Sequence, residues 1–108
     1  MLIRDMSKAD LEEVYQIEKE SFQDPWSKNS FIEAISNKNN IYLVAIVDGL
    51  IAGYCGCYGV AGEGYIYNVA VGKNYRRQGI GFRLLQDLIE AAKSRGIESL
   101  TLEVRKSN

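Results

Sequence analysis

At 108 residues the chain has room for one domain around one core. With 46% hydrophobic and 25% charged residues, its composition is globular and excludes a disordered chain. A formal net charge of -1 gives no basic excess for nucleic acid, and no apolar run approaches the roughly 20 residues that span a bilayer, so neither nucleic acid nor a membrane is an expected partner.

In chain order, Leu2 to Arg4 reads as a first strand, without the apolar region of a signal peptide. Ser7 with Asp10 three residues on resembles a capping box, and Leu11, Val14 and Tyr15 mark the apolar stripe of a first helix. Asp24-Pro25-Trp26-Ser27 breaks that pattern, and Ser27 caps a shorter helix whose inward residues are Phe31, Ile32 and Ile35. From Ile41 the period changes to that of strands. Ile41 to Val47 and Leu50 to Val60 flank Asp48-Gly49, a strong hairpin signal, and Ala61 to Gly64 turns the chain into a third strand, Tyr65–Val71. Gly53, Gly56 and Gly59 predict a bulge or a close approach on the middle strand. A helix follows from about Gly81 to Arg95, with Leu84, Leu85, Leu88, Ile89 and Ala92 at helical spacing. Ser99 to Arg105 is a last strand, parallel to Tyr65–Val71 through a right-handed crossover. Residues 1–108 thus read as one α/β (α+β) domain of order β-α-α-β-β-β-α-β, a mixed central sheet with helices on both faces.

Cys55 and Cys57, one residue apart on a strand, face the same way and match neither zinc nor redox spacing. A buried reduced pair is expected, which fits a cytoplasmic protein. The chain has no histidine, which rules out a histidine base and disfavours a metal. The acidic residues Glu12, Glu13, Glu18, Glu20 and Asp24 gather in the first quarter, whereas Arg76, Arg77 and Arg83 cluster later. That polarity is compatible with a cationic substrate and an anionic ligand on different parts of the surface.

The chemistry concentrates at Arg76-Arg77-Gln78-Gly79-Ile80-Gly81, where a strand runs through a basic glycine loop into a helix. Such a junction aims free N–H groups and the positive end of the helix dipole at one spot, suited to a phosphate. A third glycine is missing and the loop follows an antiparallel meander, so the dinucleotide fingerprint fails; Gly-Lys-Ser/Thr is also absent. Two glycines alone also occur in loops that hold no ligand.

The run Asn68-Val69-Ala70-Val71, then Tyr75 through Gly81, then Leu102-Glu103-Val104-Arg105 with Ser107-Asn108, resembles the GNAT family of N-acetyltransferases over the whole chain. Within the family it is most similar to the bacterial ribosomal-protein-alanine N-acetyltransferases, which commonly share the Pro25-Trp26-Ser27 segment followed by Phe31. The resemblance implies acetyl-CoA as cosubstrate and no metal. Val69, Ala70 and Val71 would pair with its pantetheine arm as an added strand. The amides of Arg77, Gly79, Ile80, Gly81 and Phe82 would cradle its pyrophosphate, within a loop that also includes Gln78, and Arg76, Arg77 or Arg83 would reach its phosphates. Glu103 matches the general base, and Asn108 a cofactor contact. Partial burial in the Leu-Glu-Val run would raise the Glu103 pKa toward a base's range; an ion pair with Arg105 or a surface lysine is the ordinary alternative. Tyr65 and Tyr67 share one face and either line a peptide groove or simply pack, while Trp26 reads as an anchor of the interhelical loop.

Family members usually continue past the Ser-Asn pair with a helix carrying the general-acid tyrosine and two more strands. The expectation is therefore a C-terminally truncated domain, either a piece of a longer enzyme or a chain that completes its sheet as a homodimer or by strand exchange. Three activities stay open: acetylation of a protein N-terminus, by resemblance the alanine of a ribosomal protein; acetylation of a lysine or small amine; or an inactive acyl-CoA-binding or assembly module.

Overall fold

The computed structural model describes residues 1–103 and 105. Its elements keep the expected order: β1 (Leu2–Asp5), α1 (Leu11–Ser21), α2 (Lys28–Ser36), β2 (Ile41–Val47), β3 (Leu50–Val60), β4 (Glu63–Val71), α3 (Ile80–Ser94) and β5 (Ser99–Leu102). Short 3-10 turns occupy Lys8–Asp10 and Lys73–Tyr75. The strands form one sheet in chain order, antiparallel from β1 to β4, with β5 parallel to β4. Leu11, Val14 and Ile17 of α1 and Phe31 of α2 pack with Tyr42, Val44 and Tyr54 on one face. On the other face Leu84, Leu88 and Ala92 of α3 pack with Leu43, Cys55, Cys57 and Ile66. Among the described residues, no helix is long and apolar enough to cross a membrane.

Local chemistry explains where boundaries shift. Asp10 closes a 3-10 turn before α1: its carboxylate accepts from the Ser7 backbone N–H at 2.8 Å and takes Arg4 in a two-point pair at 2.8 and 2.9 Å. The Arg4 guanidinium accordingly holds the Asp10 carboxyl below the usual carboxylate range. The buried stripe of α1 runs through Leu11, Val14, Ile17 and Glu18, while Tyr15 is only half-buried, with the amino groups of Lys19 and Lys28 over its ring. Ser27 caps α2 as expected, accepting from Ser30 N–H at 3.1 Å. Asp48-Gly49 forms the β2–β3 turn with positive φ at both residues, 51° and 79°. Ala61-Gly62 repeats that geometry at 50° and 81°, so β4 starts at Glu63 instead of Tyr65.

Two irregularities shape β4. Gly56 pairs with Asn68 and Cys57 with Ile66, leaving Tyr67 as an extra residue and bending the strand. Tyr42, Gly56 and Asn68 also stand side by side across β2, β3 and β4. Because Gly56 has no side chain, the Tyr42 ring crosses over it and its hydroxyl reaches the Asn68 Oδ1 at 3.1 Å, a buried bond spanning three strands. The middle strand carries a bulge of its own at Ala52, left extra between the Ala45–Gly53 and Ile46–Ile51 pairs, and Gly56 admits the close approach, as expected.

Candidate active site

Pairing of β5 with β4 covers only Glu63–Ile66, and the amide of Glu103 donates to the Ile66 carbonyl at 3.0 Å. Past the Tyr67 bulge, Gly72 N–H points to β3, donating to the Ala52 carbonyl at 2.7 Å. By strand alternation, Val69 and Val71 therefore turn their backbone groups to the other edge, which β5 does not reach. The Val71 carbonyl there accepts Arg76 Nε at 2.9 Å, which holds that guanidinium beside the strand. A cleft of about 340 Å³ follows this edge, lined by Val69, Ala70, Val71 and Arg76 together with Glu20, Ser21 and Phe22 from the end of α1. The Ser21 Oγ is buried there without a hydrogen-bond partner among the described residues.

The edge leads into the basic loop. Arg77 adopts a left-handed φ of 64° and Gly79 one of 80°, then Ile80 opens α3. A left-handed conformation costs a non-glycine residue roughly 1 kcal/mol, so Arg77 is held in place by the shape of the loop. Gly79 is the N-cap and offers no side chain to the first turn, whose N–H groups lack intrahelical partners. Successive left- and right-handed residues ahead of a helix gather such N–H groups into an anion-binding concavity. Ile80 is buried against the α3 face and anchors this turn, whereas Gln78 and Phe82 are exposed and Gly81 is half-buried. Arg76 and Arg77 are exposed; Arg83 is drawn toward Asp87 at 3.6 Å, a weak surface pair. The structure thus brings Val69 through Phe82 into one continuous edge-and-loop surface. Asn108 lies outside the described residues, as does Val104.

Glu103 departs from expectation. It is exposed, not partly buried: β5 ends at Leu102, and Leu102 is itself 58% exposed. Its backbone sits beside Ile66, and its carboxylate adds to the field at Tyr65, whose phenol is pushed up chiefly by Glu63. Tyr65 and Tyr67 stack with centroids 6.5 Å apart and stay half-exposed, so the pair is available to a ligand. Arg105 does not pair with Glu103; it forms a 2.8 Å ion pair with Glu18. Trp26 does anchor the interhelical loop, 5.2 Å from the Phe31 ring, and also lines a groove of about 410 Å³ with Glu33, Tyr58 and Tyr67.

Three of the acidic residues in the first quarter are engaged within the fold, while Glu20 lines the cleft. Glu12 pairs with Lys28, Glu13 accepts from Ile51 N–H at 3.1 Å, and Glu18 is fully buried. Sequence reasoning missed Ser21, Phe22 and the Glu18–Arg105 pair. The available signal was Glu18 itself, a carboxylate on the buried stripe one position after Ile17. Cys55 and Cys57 are free and buried, as expected, and burial pushes the Cys55 thiol up to about 12. Neither is a poised nucleophile.

Comparison with known proteins agrees with this geometry. The acetyltransferase (GNAT) family model matches residues 11–108. A Bacillus subtilis (strain 168) protein, provisionally named ribosomal protein bS18-alanine N-acetyltransferase, is 41% identical over 107 residues, covering 98% of this chain and 71% of that protein. The crystal structure of the ribosomal-protein-S18-alanine N-acetyltransferase from Escherichia coli superposes with a TM-score of 0.87 at 33% identity, over 99% of this chain and 68% of that one. The PaiA N-acetyltransferase of Thermoplasma acidophilum, solved with coenzyme A, shares the fold at a TM-score of 0.85 and 22% identity, over 95% of this chain and 78% of that one. With a strand edge released toward a basic helix start, and with these relatives, the chain belongs to the GNAT family of N-acetyltransferases.

Proposed function

We propose that this protein transfers the acetyl group of acetyl-CoA to the N-terminal amine of a protein, with an N-terminal alanine of a ribosomal protein as the acceptor its relatives suggest. A ribosomal acceptor would put the reaction in the cytoplasm. The observation that carries the reading is the β4 edge, which β5 leaves at Ile66 and which runs straight into the uncapped start of α3. A ligand with amides along its arm and a diphosphate at its end suits that run. Val69 and Val71 offer strand-type hydrogen bonds, Ser21 Oγ a further polar partner in the cleft, and Gly79 to Phe82 an amide crown. Arg76 and Arg77 supply positive charge alongside. By family resemblance, Asn108 adds a cofactor contact.

Acetyl-CoA supplies an activated acyl group as a thioester. Glu103 takes the proton of the attacking amine, directly or through water, and an outward N–H of Val69–Val71 polarises the carbonyl. The new N–C bond forms as the C–S bond breaks. A free thiol has a pKa of about 8.5, so the thiolate departs without a dedicated acid.

The test pairs calorimetry of acetyl-CoA with mass spectrometry of a synthetic peptide bearing an N-terminal alanine. Glu103→Gln should lower turnover by about 100-fold while acetyl-CoA affinity stays within about twofold. Equal turnover in the variant would remove Glu103 as base. Binding without transfer to any amine would favour an acyl-CoA-binding module.

A further inference from the structure

One buried charge pair takes no part in the cleft. The Glu18 carboxylate, fully buried, accepts from the Tyr54 hydroxyl at one oxygen, and at the other from the Trp26 backbone N–H and Arg105 Nη2, both at 2.8 Å. The same Nη2 donates to the Asp24 carbonyl at 2.9 Å. The guanidinium carbon of Arg105 lies 3.9 Å from the Phe22 ring centroid and 5.9 Å from that of Trp26. An ion pair buried this deeply gains little over an apolar replacement, because desolvation offsets the attraction, so stability alone does not account for it. Its geometry does. Every partner of Arg105 named here lies on α1 or the α1–α2 connection, and Arg105 itself follows Glu103 by two residues. Phe22 lines the cleft with Val69–Val71, and Trp26 lines the groove with Tyr67.

We propose that Arg105 is a positioning residue, which clamps residues 22–26 against the segment bearing Glu103 and so holds the acceptor groove in register with the base. The proposal rests on the acetyl-transfer reading above. Arginine suits the task because Nη2 alone donates to both Glu18 and the Asp24 carbonyl while the guanidinium plane contacts an aromatic ring. A lysine would keep the charge and lose that reach.

Trp26 is the only tryptophan, so its fluorescence reports the clamp directly. The full chain and its Arg105→Met, Arg105→Lys and Glu18→Gln variants would be compared by acrylamide quenching, acetyl-CoA calorimetry and kinetics with the N-terminal-alanine peptide. Arg105→Met should raise the Trp26 quenching constant at least twofold and the peptide KM at least tenfold. Acetyl-CoA affinity should stay within twofold and kcat within threefold, and Arg105→Lys should fall between Met and wild type. A purely architectural arginine would lower the melting temperature and leave quenching and the KM-to-kcat split of the folded protein unchanged, which would overturn the proposal. So would a parallel loss of acetyl-CoA affinity. Should Arg105→Met not fold, unchanged quenching and KM in Arg105→Lys would overturn it equally. If the wild type binds acetyl-CoA but acetylates no peptide, the acetyl-transfer reading fails, while the quenching comparison still decides the clamp.

Discussion

Gly56→Ala tests how the sheet is built beneath the site. A Cβ on Gly56 would stand 2.0, 2.4 and 2.5 Å from Cε1, Cζ and Cδ1 of Tyr42. Non-bonded carbons rest at about 3.5–4.0 Å, so the ring must retreat by more than about 1 Å. It has little room, because Tyr42 is buried and its hydroxyl is bound to Asn68, itself fully buried with an unpartnered Nδ2. Overpacking costs about 1–3 kcal/mol, and stranding the buried amide oxygen costs about 1–3 kcal/mol more. The gain from replacing a strand glycine by alanine is about 0.5–1 kcal/mol. The clash wins, and urea denaturation should show a loss of roughly 1–5 kcal/mol. Tyr42→Leu removes the ring, so the loss in the double variant should fall short of the sum of the two single losses by about 1 kcal/mol or more. A loss below about 1 kcal/mol for Gly56→Ala, or strict additivity, would refute the claim that this glycine exists to admit the ring.

Two further outcomes can be checked. Asp10→Ala removes the acceptor of Arg4 and Ser7 and should cost about 1–2 kcal/mol at neutral pH. Because Arg4 depresses the native Asp10 pKa, that stabilisation is present above the ordinary carboxylate value of about 4 and disappears as pH falls through the native value. Denaturation at pH 7 and in strong acid should show the gap closing; a constant gap would contradict the ion-pair account. Thiol labelling of the native protein should be slower than that of the unfolded chain by about 1000-fold or more, since reaching Cys55 or Cys57 needs opening of the core. Rapid labelling of either would mean that the α3 face is not closed.

The parts of this molecule that were legible in the chain are those governed by local rules. Asp48-Gly49 demands a tight turn, Ser27 offers a cap, and the spacing of Leu84, Leu88 and Ala92 permits only a helix with one buried face. The loop from Arg76 to Gly81 announces an anion site for the same reason: glycine and a helix start are properties of adjacent residues. What escaped depends on residues far apart in sequence. Glu18 and Arg105 stand 87 positions apart, and nothing near either one names the other. Glu103 reads as half-buried from its apolar neighbours, yet burial is decided by what packs over a strand, and β5 ends before that point. Composition and periodicity by themselves determined the order of the elements and the basic glycine loop at the start of α3, because hydrogen bonding and helical spacing act over a few residues. Only the tertiary structure decided which charges are buried and where β5 leaves the β4 edge, because desolvation and pairing depend on neighbours that the chain brings together only on folding.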